Sequence, residues 1–324
     1  MKTMFGAVLY TLAMTGVMGS APAVADYPDR PITFVVPYPP GGSTDNLSRT
    51  MVPIISKYLD ADAKIVVSNQ PGATGAIGMA AIANATPDGY TFGLITTPPA
   101  ISVPIERNTQ WNWKSYDLLA NIVEDPVGLA VLKDGSMESL DDLIAQGKNK
   151  KGITIGTTGV GSDDHFLILM FQRQTGVPIV HVPFKGTSEI ITALRSNVID
   201  VAAINVSEIA ALINGGSPII GLAQAAESRG ELAPDVPTFK EQGVNVSLSA
   251  TRSMAAPKGL PDDVREKLVA AIAKAANDPE FLNQAKTKLL QPVNYLTPKA
   301  YAQRLEALDK EFRSIWTEMP WSEK

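Results

Sequence analysis

The chain has 324 residues, of which 45% are hydrophobic and 19% charged, a composition typical of globular proteins and unlike that of disordered chains. With 28 lysines and arginines against 33 aspartates and glutamates, the formal net charge of −5 argues against a general nucleic-acid binder. Cysteine is absent, which excludes disulfides, thiolate metal sites, cysteine nucleophiles and a lipidated cysteine, and two histidines argue against a histidine-rich metal centre. The length predicts about two domains.

Residues 1–25 have the pattern of a secretory signal peptide. Lys2 supplies a positive charge, residues 4–18 are almost wholly apolar, and Ala23-Val24-Ala25 is a typical cleavage site. The apolar stretch is shorter than the ~20 residues of a membrane-spanning helix, so a retained anchor is the weaker alternative. We expect an exported chain that begins at Asp26 and diffuses freely in the periplasm of a Gram-negative bacterium.

Short apolar runs alternate with helical patterns along the chain, which predicts an α/β protein. The first cycle begins with a strand over residues 32–36, followed by prolines and glycines and then by a helix that Thr44 or Asp45 caps. Its remaining elements are a strand over 65–67, a helix over 75–85 and a strand over 90–96.

A second cycle begins near Pro126 and repeats the alternation. Its predicted strands cover residues 127–132, 153–157, 179–182, 201–204 and 219–223. Its predicted helices cover residues 136–144, with Ser136 or Ser139 as the cap, 163–174, 188–195 and 208–213.

The C-terminal part of the chain is predicted to be helical. Pro261 lies in the first turn of one helix, and Thr297-Pro298 begins the last one. The last helix has one apolar face that is expected to lie in the core and consists of Tyr301, Leu305, Leu308, Phe312 and Ile315.

Each half of the chain contains a strand, then a loop rich in glycine and hydroxyl groups, then a helix. One loop contains Gly41-Gly42, and the other runs from Thr158 to Ser162. Ligands of parallel α/β sheets bind at the carboxyl ends of strands, where helix N-termini offer unpaired N–H groups and partial positive charge. Two such loops predict an anion site with few cations, one loop gripping each end of a dicarboxylate. The alternative for either loop alone is a tight connection without a ligand; neither loop is a Walker A motif.

Several motifs resemble those of tripartite tricarboxylate transporter receptors, the Bordetella uptake gene (Bug) family of extracytoplasmic solute receptors. The resemblance covers essentially the whole chain after residue 25, and its motifs are specific in combination. They are residues 27–32 (YPDRPI), 35–45 (VVPYPPGGSTD), 69–73 (NQPGA), 87–91 (PDGYT), 182–186 (VPFKG), 234–238 (PDVPT) and 256–261 (APKGLP). Residues 159–165 and Thr251-Arg252 are closer to the tricarboxylate branch than to the amino-acid-binding members.

The resemblance implies a type II periplasmic binding protein, with two α/β lobes and a ligand cleft between them. Residues 26–124 plus 251–324 would form one lobe, and 125–250 the other. Such a receptor captures a small, citrate-like di- or tricarboxylate and delivers it to a membrane permease with a small and a large subunit. We expect a monomer that uses no cofactor or metal and binds no nucleic acid.

Carried onto this sequence, the resemblance implies ligand-binding positions on the first loop, on a strand end and on the second loop. These positions are Tyr38, Gly42, Ser43, Thr44, Thr96, Thr97, Thr157, Gly159, Ser162 and Asp163. Many members have Asp or an aromatic residue where this chain has Asn205-Val206-Ser207, and this departure leaves the identity of the ligand open.

Chemical reasoning adds three candidates and qualifies a fourth. The guanidinium of Arg252 is suited to clamp a carboxylate bidentately, with an ion pair as the alternative. Asn205 follows a strand and offers an amide N–H, and Lys185 is either a cleft cation or a solvated charge. Asp163 is unusual in an anion site, where it caps the helix or orients Ser162 and water.

Two other functions compete with solute transport. A hydrolase is disfavoured because Ser162, Asp163 and His165 lie within one helical turn and cannot align as nucleophile, orienter and base, and because a G-x-S-x-G motif is missing. A carboxylate sensor that feeds a two-component signalling system has the same binding fold, so the sequence does not separate it from a transport receptor.

Overall fold

The computed structural model describes residues 27–60, 63–150 and 152–322. The predicted signal peptide and its cleavage site lie outside these residues. The described part is an α/β structure, which confirms the predicted class. None of the helices in these ranges has the length and apolarity to cross a membrane.

Strands and helices alternate along most of the described chain. The strands are β1 (Ile32–Val36), β2 (Ile65–Asn69), β3 (Thr91–Thr97), β4 (Tyr116–Leu132), β5 (Ile153–Thr157), β6 (Ile179–Pro183), β7 (Val201–Asn205), β8 (Ile219–Gln224), β9 (Ser249–Pro257) and β10 (Val293–Leu296). The α-helices are α1 (Ser43–Leu59), α2 (Ala76–Ala83), α3 (Pro99–Glu106), α4 (Leu140–Asn149), α5 (Asp163–Thr175), α6 (Thr187–Arg195), α7 (Val206–Asn214), α8 (Asp262–Ala276), α9 (Pro279–Gln284) and α10 (Pro298–Glu318).

The strands are joined by β4, which belongs to two half-sheets. Their order is β2-β1-β3-β9-β4-β7-β5-β6, and β8 and β10 also pair with β4. Residues 116–126 of β4 pair with β9 in the first half-sheet, while residues 127–132 pair with β7 and β8 in the second. In each half-sheet a set of parallel strands, β2-β1-β3 or β6-β5-β7, lies beside antiparallel partners.

The carboxyl ends of the parallel strands converge on the middle of β4. At the end of β3, Thr97 pairs with Thr251 of β9, and Thr251 pairs with Glu124 of β4. At the end of β7, Asn205 pairs with Val127 of β4. The loops that follow the parallel strands of both half-sheets are therefore directed toward the same region, as ligand sites of parallel sheets require.

The apolar faces of the helices form the core. On one side of the first half-sheet, α1 packs against α8, with residues such as Leu47 and Ile272 fully buried. The last helix, α10, has the predicted core face, since Tyr301, Leu305, Phe312 and Ile315 are buried and Leu308 is partly buried.

Helix α10 also contacts the second half-sheet. Phe312 stacks on Phe166 of α5 with ring centroids 4.1 Å apart, and Trp321 lies edge-on to Phe166 at 4.6 Å. Arg173 of α5 forms ion pairs with Glu311 and Glu318. The end of the chain therefore connects elements from both half-sheets.

The structure corrects several predicted elements. The strand predicted over 127–132 is the end of β4, which begins at Tyr116, because the polar Glu124-Asp125-Pro126 segment is extended and paired with β9. Helices α3 and α9 and strand β10 were not predicted, since each is short, and α3 and α9 contain proline.

The predicted helix caps were correct for one helix and wrong for another. Ser139 caps α4 in a capping box with Asp142, although the helix covers residues 140–149 rather than 136–144. Helix α1 begins at Ser43 after Gly42, and neither Thr44 nor Asp45 caps it.

Candidate functional site

The first loop, defined here as residues 37–44, is held by Asp45 in the first turn of α1. The carboxylate of Asp45 accepts hydrogen bonds from Gly41 N (2.8 Å), Arg49 Nε (2.8 Å) and Asn69 Nδ2 (2.9 Å). Burial opposes the ionisation of Asp45, but these three donors together lower its pKa. Gly41 has a φ of 82°, a conformation that favours glycine. The glycine and its hydrogen bond to Asp45 therefore stabilise the same turn of the loop.

Tyr38 connects the first loop to the end of β3. Its carbonyl accepts from Asn69 Nδ2 (3.0 Å), and its hydroxyl lies 2.8 Å from Thr96 Oγ1. Burial raises the pKa of Tyr38, while the charges of Arg252 and Asp163 shift it in opposite directions. Tyr38 therefore lies within electrostatic reach of a residue from the second half-sheet.

The start of α1 offers backbone donors without acceptors. Gly42 is the N-cap residue, and no side chain caps the helix. Among the described residues, no acceptor takes the N–H groups of Gly42, Ser43 or Thr44. Unpaired N–H groups and the helix dipole make this terminus an anion-binding position.

Arg252 of β9 lies beside these donors. Its backbone pairs with Thr96 of β3, and its Nη2 donates to Ser43 Oγ at 3.1 Å. Its Nη1 is buried and has no hydrogen-bond partner. An unpaired guanidinium N–H next to open backbone donors fits one carboxylate oxygen or two.

Thr97 turns away from Arg252. Its hydroxyl lies 2.7 Å from Thr251 Oγ1, which lies 3.0 Å from the hydroxyl of Tyr301 in α10. All three side chains are buried. This chain of hydroxyl groups joins β3, β9 and α10 next to Arg252 in the strand β9.

Most donors of the second loop, residues 158–162, are paired with acceptors of the loop itself or of the adjoining strand and helix. Ser162 caps α5 by accepting from His165 N (3.2 Å), and its hydroxyl donates to Gly159 O (2.9 Å). Gly161 has a φ of 79° and donates its N–H to His165 Nδ1 (3.1 Å). Thr158 donates both its N–H (3.0 Å) and its hydroxyl (2.6 Å) to Asp164 Oδ2.

Two histidines support this loop from below. The rings of His165 and His181 stack with centroids 4.0 Å apart, and His181 Nε2 lies 2.6 Å from the hydroxyl of buried Thr157. Burial, with a smaller contribution from His181, lowers the pKa of His165 to about 3, and burial also lowers the pKa of His181. Both rings are therefore neutral supports at physiological pH. The described residues contain no group of three His, Asp or Glu arranged to hold a metal ion.

Asp163 occupies the N-terminus of α5. Its Oδ2 accepts from Asn205 Nδ2 at 2.8 Å, and the backbone N–H groups of Asp163 and Asp164 also favour its ionised form. Burial acts in the other direction and raises the pKa of Asp163 overall. The chain's own carboxylate therefore occupies the anion position that sequence reasoning assigned to a ligand.

Two more carboxyl groups lie within electrostatic reach of Arg252, and sequence reasoning missed both. Asp125 of β4 accepts from Ser207 N (3.2 Å) and Ser207 Oγ (2.5 Å), and burial raises its pKa to about 7. Glu208 of α7 accepts from Asn205 N (3.1 Å) and Thr187 Oγ1 (2.7 Å), and burial raises its pKa as well. A polar residue before a proline inside an apolar run was the only sequence signal for Asp125.

Lys185 lies apart from these residues. It is exposed after the edge strand β6, and its backbone N–H donates to Glu189 Oε2 at 3.2 Å. No contact in the described ranges joins its ammonium group to Arg252, Asp163 or the first loop.

Comparison with known proteins identifies the family. Residues 49–311 match the model of the tripartite tricarboxylate transporter family receptor, TctC. BugT of Bordetella pertussis is 33% identical over 246 residues, which cover 74% of this chain and 74% of BugT.

Solved structures show the same fold. A TctC solute-binding protein from Polaromonas, without ligand, is 27% identical, with a TM-score of 0.81 and coverage of 90% of this chain and 100% of that protein. MatC of Rhodopseudomonas palustris, solved with malate, has a TM-score of 0.72 at 24% identity, covering 89% of this chain and 99% of MatC, and shares the fold.

These matches confirm the resemblance seen in the motifs and the predicted solute-binding fold. The family consists of receptors and not of enzymes, which agrees with the sequence-based argument against a hydrolase. The chain belongs to the TctC family of periplasmic solute-binding receptors.

Proposed function

We propose that this receptor captures a small carboxylate by binding a carboxylate group with the first loop and Arg252. One observation carries the proposal. The N–H groups of Gly42, Ser43 and Thr44 have no acceptor among the described residues, and the buried, unpaired Nη1 of Arg252 belongs to the guanidinium that contacts Ser43.

The donors of this position supply enough free energy for a micromolar complex. A hydrogen bond to a charged group contributes roughly 1.5–3 kcal/mol net. Four such bonds approach the ~8 kcal/mol of a micromolar ligand. Contacts on the other side of the cleft then offset the entropy lost on association.

Membership of the TctC family supports a role in transport. Residues 26–124 plus 251–324 form one lobe and residues 125–250 the other, with the carboxylate held where the two meet on β4. The exported monomer binds its ligand in the periplasm and delivers it to a membrane permease with a small and a large subunit. The malate bound to a protein of the same fold supports small carboxylates as the substrate class.

A binding screen tests the proposal. Calorimetric titration and thermal shift with citrate, succinate, malate, glutarate and aspartate are expected to find at least one ligand that raises the melting temperature. Arg252→Gln is expected to weaken that ligand about 100-fold, and Arg252→Lys, which keeps the charge but not the planar donors, by an intermediate factor.

Arg313→Gln is the matched control, because Arg313 is an exposed residue of α10 paired with Asp309. It is expected to leave the affinity unchanged. If Arg252→Gln folds and binds as tightly as the parent, the carboxylate does not lie at this position.

A further inference from the structure

The segment after α9 brings a buried glutamine to the first turn of α1. Ala285–Leu289 form a π-helical turn, and Leu290 follows in a left-handed conformation with a φ of 51°. The backbone N–H of Gln291 then donates to Ala285 O at 3.0 Å. A π-helical turn and a left-handed leucine both cost free energy, and such features are concentrated at functional sites.

The amide of Gln291 has a partner at only one of its two ends. Its Nε2 donates to Ser43 O at 2.9 Å, whereas its Oε1 is buried and has no donor among the described residues. The orientation of the amide is fixed, because Ser43 O can only accept a hydrogen bond. Gln291 is 5% exposed, and an apolar side chain of similar length would fill this space without an unpaired oxygen. Packing alone therefore does not explain an amide at this position.

The hydrogen bond from Gln291 acts on a neighbouring N–H group. The C=O of Ser43 and the N–H of Thr44 belong to one planar peptide unit, in which they point in opposite directions. A donor that holds Ser43 O therefore also fixes the direction of the Thr44 N–H, which has no acceptor among the described residues. A hydrogen bond to the carbonyl also polarises the peptide unit and strengthens its N–H as a donor.

Gln291 and Arg252 hold the same residue through different atoms. Gln291 donates to the backbone of Ser43, and Arg252 Nη2 donates to its hydroxyl at 3.1 Å. Next in the chain, Pro292 O accepts from Glu124 N of β4 at 3.1 Å, close to the point where the two half-sheets meet. This part of the chain therefore connects the first turn of α1 to the strand that both half-sheets share.

We propose that Gln291 is a positioning residue of the carboxylate site, which orients and polarises the N–H of Thr44 toward the ligand. This inference rests on the proposed function, in which the ligand carboxylate is the acceptor for that N–H. Gln291 acts through the peptide unit between Ser43 and Thr44 rather than by contact with the ligand. Loss of its amide therefore weakens binding while the fold is retained.

Gln291→Met tests the inference, because methionine has a similar length and no amide. The calorimetric probe is the tightest binder among citrate, succinate, malate, glutarate and aspartate. Binding is expected to weaken about tenfold, because the Thr44 N–H is less well oriented and a weaker donor. The midpoint of urea denaturation is expected to stay the same or to rise, since the unpaired buried oxygen is removed. Unchanged affinity overturns the inference.

Gln284→Met is the matched control. Gln284 lies in the adjoining helix α9, and its amide donates to Glu280 Oε1 at 3.2 Å instead of to the first loop. This variant is expected to bind the same carboxylate as tightly as the parent. An equal loss of affinity in Gln284→Met would assign the effect to the whole segment and overturn the role of the Gln291 amide.

The amide resonance of Thr44 reports on the peptide unit directly. In the ligand-free receptor, its ¹⁵N resonance is expected to move upfield in Gln291→Met, because the peptide unit loses a polarising hydrogen bond, and to stay in place in Gln284→Met. If Gln291→Met also loses stability, this resonance decides between positioning and packing. An unmoved Thr44 resonance overturns the inference.

The two proposals fail in different ways. Weaker binding by Arg252→Gln together with full affinity in Gln291→Met overturns this inference and leaves the proposed function standing. If none of the five carboxylates binds the parent, or if Arg252→Gln binds as tightly as the parent, the proposed function fails and this inference fails with it.

Discussion

The two glycine-rich loops have the same local sequence pattern but opposite hydrogen-bonding states. The first loop leads into a helix without a side-chain cap, and the N–H groups of residues 42–44 have no acceptor among the described residues. The second loop leads into a helix that Ser162 caps and whose terminus Asp163 occupies. Similar strand–loop–helix elements therefore give one open anion position and one that the chain has filled itself.

A glycine-rich loop at a strand end therefore indicates an anion site, but the side chains around the loop decide whether that site is free. Asp45 stabilises the first loop from behind, where its carboxylate leaves the helix terminus exposed. Asp163 lies at the terminus itself. The supporting aspartate is the third residue of α1, whereas the occupying aspartate is the first residue of α5.

The largest effect on stability is expected at Asp125 of β4. Asp125 has a pKa of about 7 because burial outweighs the attraction of Arg252 and the hydrogen bonds from Ser207, and Glu208 repels it. Since the folded pKa exceeds the unfolded value of about 3.9, the folded state loses stability as pH rises between about 4 and 7.

Asp125→Asn removes this dependence. Its free energy of unfolding relative to the parent is expected to increase by about 3 kcal/mol from pH 5 to pH 8, measured by urea denaturation. Asp134→Asn, at an exposed turn, is the control and is expected to show no such trend. A constant difference across this pH range would show that Asp125 titrates normally.

A smaller effect is expected at the support of the first loop. Asp45→Asn is expected to lower stability by about 2 kcal/mol at pH 7, because Arg49 and Gly41 lose a charged acceptor. It is also expected to weaken ligand binding about tenfold, since the loop is less well fixed.

The contribution of Asp45 to stability depends on pH in the opposite direction to that of Asp125. The lowered pKa of Asp45 gives stability that is present above about pH 4 and lost as pH falls through the folded value. The two proteins are therefore expected to have similar stability near pH 2, by denaturant titration. If the Asp45→Asn receptor binds its ligand with full affinity, the support that Asp45 gives to the first loop is not needed for binding.

The smallest effects distinguish the two loops directly. Ser162→Ala removes the cap of α5 and is expected to cost about 1 kcal/mol of stability with less than a threefold change in affinity. Ser43→Ala is expected to change stability little and to weaken binding a few-fold, because Ser43 orients Arg252. Equal losses of affinity in both variants would indicate a symmetric clamp instead.

Much of the fold could be predicted because local patterns determine it. The strand over 32–36 and the apolar face of α10 follow from hydrophobic periodicity, and Thr297-Pro298 begins α10 as predicted. Strand β4 could not be read in full, because its Glu124-Asp125-Pro126 segment is stabilised by pairing with β9, which is more than a hundred residues away in the chain.

The site could be predicted only in part. The loops and Arg252 carry recognisable motifs, whereas the surroundings of Arg252 depend on β4, α5 and α7 meeting in space. The raised pKa of Asp125 and the occupied terminus of α5 both arise from this packing of distant segments. Residue types and spacing contain no direct signal for either.

A crystal structure of the receptor with a bound carboxylate would show directly whether the first loop and Arg252 hold the ligand. We expect a carboxylate oxygen within hydrogen-bond distance of the N–H groups of Ser43 or Thr44 and a second contact with Nη1 of Arg252. Asp163 should still hold the N-terminus of α5. A ligand carboxylate seated on that terminus, with Asp163 displaced from it, would contradict the account.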